Sequence, residues 1–246
     1  MTRDSAAPGP ATRDSATPGP ATPAAAHRTW ALVPLRGLED AKTRLGGELD
    51  AEERRELVVE MASRTLAAAR DARTISGTVL VTADPAAADL AHTFGARAIV
   101  QLLPGLNAAL REARGVAVEA GATAVLIIPI DLPAVSAKAL DALVAAAATS
   151  AAGPEGGLDT GRPVVLAVPD RHGSGTNALF VSPPDVIEPL FGEASFAAHR
   201  AAAHAAGAWF VTVEGPLTLD VDTAADLLEA ETAGGRHKRG GTGDAA

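Results

Sequence analysis

The sequence predicts a single α/β domain built on a mixed, mostly parallel sheet with helices on both faces. Three observations predict it. Short apolar runs alternate with longer stretches of helical periodicity through most of the chain. Those apolar runs are nearly continuous, the pattern of strands covered on both faces. In the C-terminal half the runs at 163–170 and 177–183 follow one another with no helix between them. A parallel pair needs a long crossover between its strands, so the sheet is expected to be mixed.

The elements follow in order. TWALVPL (29–35) reads as the first strand, and AEERRELVVEMASRTLAAARDA (51–72) as a long helix with its charges gathered at the start. TVLVTA (78–83) is the second strand. PAAADLAHTFG (85–95) is a helix with proline near its first position and glycine at its end. RAIVQ (97–101) is a short strand, and LNAALREARGVAVEAG (106–121) a helix that stops on glycine. TAVLIIPI (123–130) is the most hydrophobic strand, and SAKALDALVAAAATS (136–150) a helix with Ser136 as its N-cap. Residues 151–163 are Gly-rich and loop-like. PVVLAVPD (163–170), NALFVSP (177–183) and AWFVTVEG (208–215) complete the strands, and 195–207 and 223–232 read as helices.

The ends differ in character. TRDSAAPGPA (2–11) is repeated almost unchanged as TRDSATPGPA (12–21), in a stretch of Ala, Pro, Gly, Ser and Thr with no apolar period. Such a segment buries too little to offset its ordering entropy, so 1–28 is expected to be a disordered tail. The final GGRHKRGGTGDAA reads alike, and 232–246 is expected to be a second one. The domain proper is then 29–231.

Composition narrows the function. With five Phe, two Trp and no Tyr, the chain lacks the aromatic platforms on which nucleic-acid bases stack. There is no cysteine, which excludes disulfides and thiolate metal sites. No apolar run approaches the about 18 residues of a membrane span, and the start has no apolar signal core. A cytoplasmic location, away from membranes, is the expectation. The net charge is -9. Residues 29–231 hold 15 basic and 27 acidic residues, a net of -12. That charge disfavours nucleic acid, and a phosphorylated small molecule would need a divalent cation to bridge like charges.

In open α/β sheets ligands sit beyond the carboxyl ends of the strands, and there the chemistry-bearing residues fall. After the first strand comes PLRGLEDAKTRL, in which Arg36, Lys42 and Arg44 cluster within nine residues. Such a loop suits a triphosphate, or is a solvated basic loop. Asn107, in PGLNAAL, stands where it can cap a helix or bond a base or ribose. Asp131 follows a strand too hydrophobic for a sheet edge, and a carboxylate there is well placed for Mg²⁺. In LTLDVDTAADL, Asp220 and Asp222 point to opposite faces of an extended segment. One of them can complete a metal site with Asp131, while Thr223 and Asp226 resemble a helix start. GSGTNAL holds Thr176 in a turn that can bind an anion or be only a turn. FGEASFAAH sets Gly192 and Ser195 at a helix N-terminus, where free N–H groups favour a phosphate or carboxylate. His199 and His204 on that helix read as surface or packing residues, and no catalytic triad is visible.

Six motifs occur in one order: LVPLRGLEDAKTRL, PGLNAAL, PIDLPAV, GTNAL, FGEASFAAH and LDVDTAADL. The series resembles the 2-phospho-L-lactate guanylyltransferase family of coenzyme F-420 biosynthesis, with its bacterial phosphoenolpyruvate branch, over residues 29–231. The resemblance implies a single Rossmann-like GT-A nucleotidyltransferase domain. It implies that Arg36, Lys42 and Arg44 cradle the GTP phosphates and that the region of Asn107 lines the nucleotide pocket. Asp131 and Asp220 would hold Mg²⁺, with Asp222 anchoring the last helix. Thr176, Gly192 and Ser195 would bind phosphoenolpyruvate or phospholactate. Lys42, Arg44, Asp131 and Asp220 would be the catalytic groups. A homodimer, and delivery of the product to the next enzyme of the pathway, belong to the same expectation. The Ala-rich character looks like the bacterial branch and favours phosphoenolpyruvate. The sequence departs from the family pattern at Ile130, where a small residue is expected beside the metal site. The Gly-rich insert at 153–162 and the duplicated tail are further departures. Two other readings stand beside this one. One is a nucleotidyltransferase for 3-phosphoglycerate, a sugar phosphate or molybdopterin; the other is a non-catalytic nucleotide-binding module.

Overall fold

The computed structural model describes residues 28–37, 49–151 and 162–221, and Asp226. The tail readings for 1–27 and 232–246 lie outside the described residues. So do Lys42, Arg44, Asp222 and Thr223, and nearly all of the Gly-rich insert.

Among the described residues seven strands form one sheet: β1 (Thr29–Leu35), β2 (Ile75–Thr82), β3 (Arg97–Val100), β4 (Ala124–Ile127), β5 (Val164–Pro169), β6 (Thr176–Ser182) and β7 (Trp209–Thr212). Their order is β3-β2-β1-β4-β6-β5-β7. All pairs are parallel except those that β6 makes with β4 and β5. The expected mixed sheet is therefore realised by one reversed strand near its middle. The reversal matters for function. It brings the start of β6, at Thr176 and Asn177, to the same edge as the carboxyl ends of β4 and β5.

The helices are α1 (Ala51–Asp71), α2 (Ala86–Thr93), α3 (Leu106–Glu119), α4 (Ala137–Ala151) and α5 (Ser195–Ala205). Local chemistry sets their starts. Asp50 accepts from Glu53 N–H at 2.9 Å while the Glu53 carboxylate accepts from Asp50 N–H at 2.9 Å, a reciprocal cap for α1. Ser136 accepts from Ala139 N–H at 3.3 Å, the cap expected for α4. Asp84, one of the polar residues just past a strand, accepts from Ala86 N–H at 2.9 Å at the start of α2.

Alternate residues of each strand serve opposite faces. Leu126, Leu166 and Phe180 pack with α4 and the end of α1, whereas Val125, Val165 and Leu179 pack with α3 and α5. A third cluster joins Val33, Leu35 and Leu80 to α1 and α2 and takes in Ile130 and Val221. Among the described residues no helix is long and apolar enough to cross a membrane.

One boundary departs from expectation in a useful way. The hydrophobic run at 123–130 leaves the sheet after Ile127. Ile128 N–H still donates to the Leu32 carbonyl at 3.0 Å, but Pro129 has no N–H to continue the ladder. Asp131 therefore sits on a loop beyond a central strand.

Candidate active site

The Asp131 loop is fixed by its neighbours. Ile130 and Leu132, on either side, are buried in two different core clusters. Val221 N–H donates to the Asp131 carbonyl at 2.9 Å, so the segment carrying Asp220 lies directly against it. Both aspartates are half-buried. Ile130, where the family pattern has a small residue, packs its side chain into the core with Val33, Leu35 and Val221.

The segment that carries Asp220 is itself held in place. It begins with a short 3-10 turn, Pro216–Thr218. Asn177 Nδ2 donates to the Leu217 carbonyl at 3.0 Å, tying this turn to the start of β6. Arg171 donates to the Asp220 carbonyl at 3.2 Å and forms an ion pair with Asp226, which is buried and helical. The sequence reading missed Arg171. Its signal was a lone guanidinium in the turn DRHGSGTN of an acidic body, facing an acidic closing segment.

That turn has a compact internal logic. Asp170 Oδ1 accepts from His172 N–H at 3.1 Å and Ser174 N–H at 2.9 Å. A Cβ on residue 175 would lie 2.6 Å from Asp170 Oδ2, so any side chain there would push the carboxylate away from these bonds. Phe196 N–H donates to the Ser174 carbonyl at 3.1 Å and draws the start of α5 onto the turn. The sequence placed Ser195 at this helix start as an anion site with free N–H groups. The structure corrects part of that: Ser195 N–H already donates to the Gly192 carbonyl at 3.2 Å, and Phe196 N–H is also taken.

Thr176, Gly192 and Ser195 do come together. Ser195 Oγ donates to Thr176 Oγ1 at 3.3 Å, and both residues are buried. Thr176 Oγ1 also lies 3.1 Å from His199 Nδ1. His199 is fully buried on α5, its ring edge-on to Phe191 with centroids 5.0 Å apart. The surface reading of His199 is thus corrected in favour of packing, with hydrogen bonds at both ring nitrogens.

Asn107 is neither a helix cap nor exposed. The first turn of α3 is entered through Gly105 at φ +102°, with no side-chain cap. The Asn107 amide instead clamps the backbone of Phe191. Its Nδ2 donates to the Phe191 carbonyl at 2.9 Å, and its Oδ1 accepts from Phe191 N–H at 2.9 Å. It links the first turn of α3 to the loop before α5, 84 residues away. Arg36 stands exposed just past β1, its carbonyl accepting from Ala83 N–H at 3.3 Å.

Burial lowers the His199 imidazole from the usual 6.5 to about 4. The unfolded chain takes up a proton near pH 6.5 that the native state refuses until about pH 4. Stability should therefore fall as pH drops through that window, by at most about 3 kcal/mol, and gain nothing from this group above it. Urea unfolding at pH 7 and pH 4.5 checks this. His199→Asn should abolish that part of the loss.

A sheet of this order, with its polar groups gathered beyond the strand ends, defines an α/β nucleotidyltransferase fold. It aligns with a nucleotidyl transferase from Methanothermobacter thermautotroptrophicus at a TM-score of 0.54 and 16% identity, covering 84% of this chain and 97% of the other. The chain belongs to the family described as guanylyl transferase CofC like, whose model matches residues 29–239. It is 42% identical over 203 residues to a phosphoenolpyruvate guanylyltransferase of Sphaerobacter thermophilus, covering 82% of this chain and 91% of the relative. It is 37% identical over 207 residues to one of Rubrobacter xylanophilus, covering 84% and 95%. The enzyme is a nucleotidyltransferase, as the six motifs implied.

Proposed function

We propose that this enzyme condenses GTP with phosphoenolpyruvate, giving enolpyruvoyl-2-diphospho-5'-guanosine and pyrophosphate in coenzyme F-420 biosynthesis. The names of its relatives support the substrates. For the chain's own residues, the observation that carries the reading is the Val221 N–H bond to the Asp131 carbonyl. It sets the Asp131 and Asp220 segments side by side at the sheet edge where Thr176 begins β6.

Arg36, with Lys42 and Arg44, binds the GTP phosphates. Asp131 and Asp220 are the residues that would hold Mg²⁺. Among the described residues no group of three metal-binding side chains is gathered, and two carboxylates suit this ion, which completes its shell with water and phosphate oxygens. When bound it supplies charge neutralisation between two phosphorylated substrates inside an acidic body. Thr176, Gly192 and Ser195 bind the phosphorylated acid. The stretch around Asn107 lines the nucleotide side, its own amide acting through Phe191.

The phosphate of the acceptor is already ionised near neutral pH, so no general base is needed. One of its oxygens attacks the α-phosphorus of GTP in line. The new P–O bond forms as the bond to the bridging oxygen of the β-phosphate breaks, and pyrophosphate carries the electron pair away. The chain's contribution is positioning and fixed positive charge from Arg36, Lys42 and Arg44. Action in the cytoplasm, as a homodimer that passes its product to the next enzyme, belongs to the same reading.

A mass-spectrometric screen of GTP, ATP and CTP against phosphoenolpyruvate, 2-phospho-L-lactate and 3-phosphoglycerate tests it. The guanylated phosphoenolpyruvate should dominate. Turnover only with another nucleotide or acceptor would overturn the assignment, and nucleotide binding with no pyrophosphate release would point to a non-catalytic module.

A further inference from the structure

His199 lies outside every role assigned above, yet its surroundings leave it little freedom. It is a fully buried imidazole with a partner at each nitrogen. At Nε2 the partner is the backbone N–H of Leu190, at 3.0 Å. A backbone N–H can only donate, so Nε2 must be the bare, accepting nitrogen. The neutral ring then carries its proton on Nδ1 and donates it to Thr176 Oγ1, 3.1 Å away. Ser195 Oγ donates to the same oxygen at 3.3 Å. A hydroxyl oxygen has two lone pairs and one proton. With both lone pairs engaged, the proton of Thr176 is left to be given away.

We propose that His199 is a positioning residue that fixes the polarity of Thr176, so that the threonine hydroxyl donates to an anionic oxygen of the acceptor substrate. The proposal rests on the acceptor side being where Thr176 and Ser195 lie. The relay runs from the Leu190 backbone through the imidazole to the hydroxyl, and each link is forced by the one before it. Its consequence is a preference about ligand chemistry. A carboxylate or phosphate oxygen accepts the threonine proton; an ammonium, which only donates, leaves two donors facing each other. The ring's burial supports this, because a protonated imidazole would set a second donor against Leu190 N–H.

His199 also shares a task with Asn107. The imidazole holds the N–H of Leu190, and the Asn107 amide holds both backbone groups of Phe191. The two residues thereby anchor consecutive positions of the loop that leads to Gly192 and Ser195. A substitution at His199 can then act through the loop or through Thr176, and the test must separate the two.

Two variants do so. In His199→Asn the amide nitrogen takes the place of Nδ1 and keeps the donor to Thr176 while abandoning Leu190. In His199→Gln the amide oxygen takes the place of Nε2 and keeps Leu190 while abandoning Thr176. His199→Gln should raise KM for phosphoenolpyruvate roughly 10- to 100-fold, with KM for GTP within about twofold, as expected for loss of one oriented hydrogen bond to a charged group. His199→Asn should stay within about threefold of wild type in the same KM and lose thermal stability instead. Should His199→Asn not fold, the KM split of His199→Gln and the protonation of the ring itself still decide the matter. Nitrogen-15 NMR of the free enzyme provides a readout with no substrate, in which Nδ1 of His199 should be protonated and Nε2 bare. A proton on Nε2, or a His199→Gln enzyme with wild-type KM for phosphoenolpyruvate, overturns the proposal. A wild-type enzyme that forms no product from phosphoenolpyruvate would instead overturn the reading of the site, and the NMR result would still judge the tautomer.

Discussion

Replacing Asp131 with alanine should cut turnover of GTP and phosphoenolpyruvate at least about 100-fold, the scale seen when other electrostatic catalytic groups are deleted. The fold should survive. Its loop is anchored by the buried side chains of Ile130 and Leu132 and by a bond from Val221 N–H to the Asp131 carbonyl, none of which needs the carboxylate. The loss should therefore appear in kcat with the melting temperature little changed. Asp131→Asn, which keeps the shape and removes the charge, should behave much the same. Pyrophosphate release followed at saturating substrates, beside a thermal melt, makes the measurement. Wild-type rates from the alanine variant would remove Asp131 from the mechanism and favour a module that only binds nucleotide.

The largest effect on stability should come from Phe180→Ala. Phe180 is wholly buried on β6, opposite Leu126 of β4 and Leu166 of β5, in the cluster that α4 covers. Truncating such a ring removes its burial and leaves a cavity, at a cost of about 3 to 5 kcal/mol. A domain of this size holds roughly 5 to 15 kcal/mol in all, so much of the margin would go. The melting temperature should fall by roughly 6 to 20 °C. Phe180→Leu should cost far less, because it keeps most of the apolar volume. A urea titration of both variants decides it, and an alanine variant as stable as wild type would show that the reversed strand does not hold the sheet together. The effect bears on function too, since β6 carries Thr176 and Asn177 at its start.

The sequence made these two residues unequally visible. Asp131 stood out because a carboxylate after a strand too hydrophobic for a sheet edge is not merely a solvated residue, although one carboxylate alone is a weak sign of a metal site. Phe180 was one apolar residue among many, and only its place on the reversed strand between β4 and β5 marks it. The same division runs through the site. Thr176, Gly192 and Ser195 were legible as a turn and a helix start, local features written in neighbouring residues. Asn107 was legible as a polar residue at a junction, but its partner Phe191 lies 84 positions away and no local pattern points to it. Arg171 escaped for the same reason, and of His199 only the packing alternative was legible, not its partners. An arginine in a turn and a histidine on a helix show no partner until the chain brings Asp226 to one and Thr176 to the other.

What the sequence determined by itself is the alternation of strand and helix, the Ser136 cap of α4, and the list of polar groups that follow strand ends. These depend on contacts within a few residues, where periodicity, proline, glycine and capping chemistry act directly. The tertiary structure alone decided which of those groups meet. The reversal of β6 brings Thr176 beside the carboxyl ends of β4 and β5, the Val221 N–H bond lays the Asp220 segment against Asp131, and burial turns His199 into a neutral donor. Each is a contact between segments far apart in the chain. Their energy comes from apolar surface buried around them, and that term has no address in any short stretch of sequence.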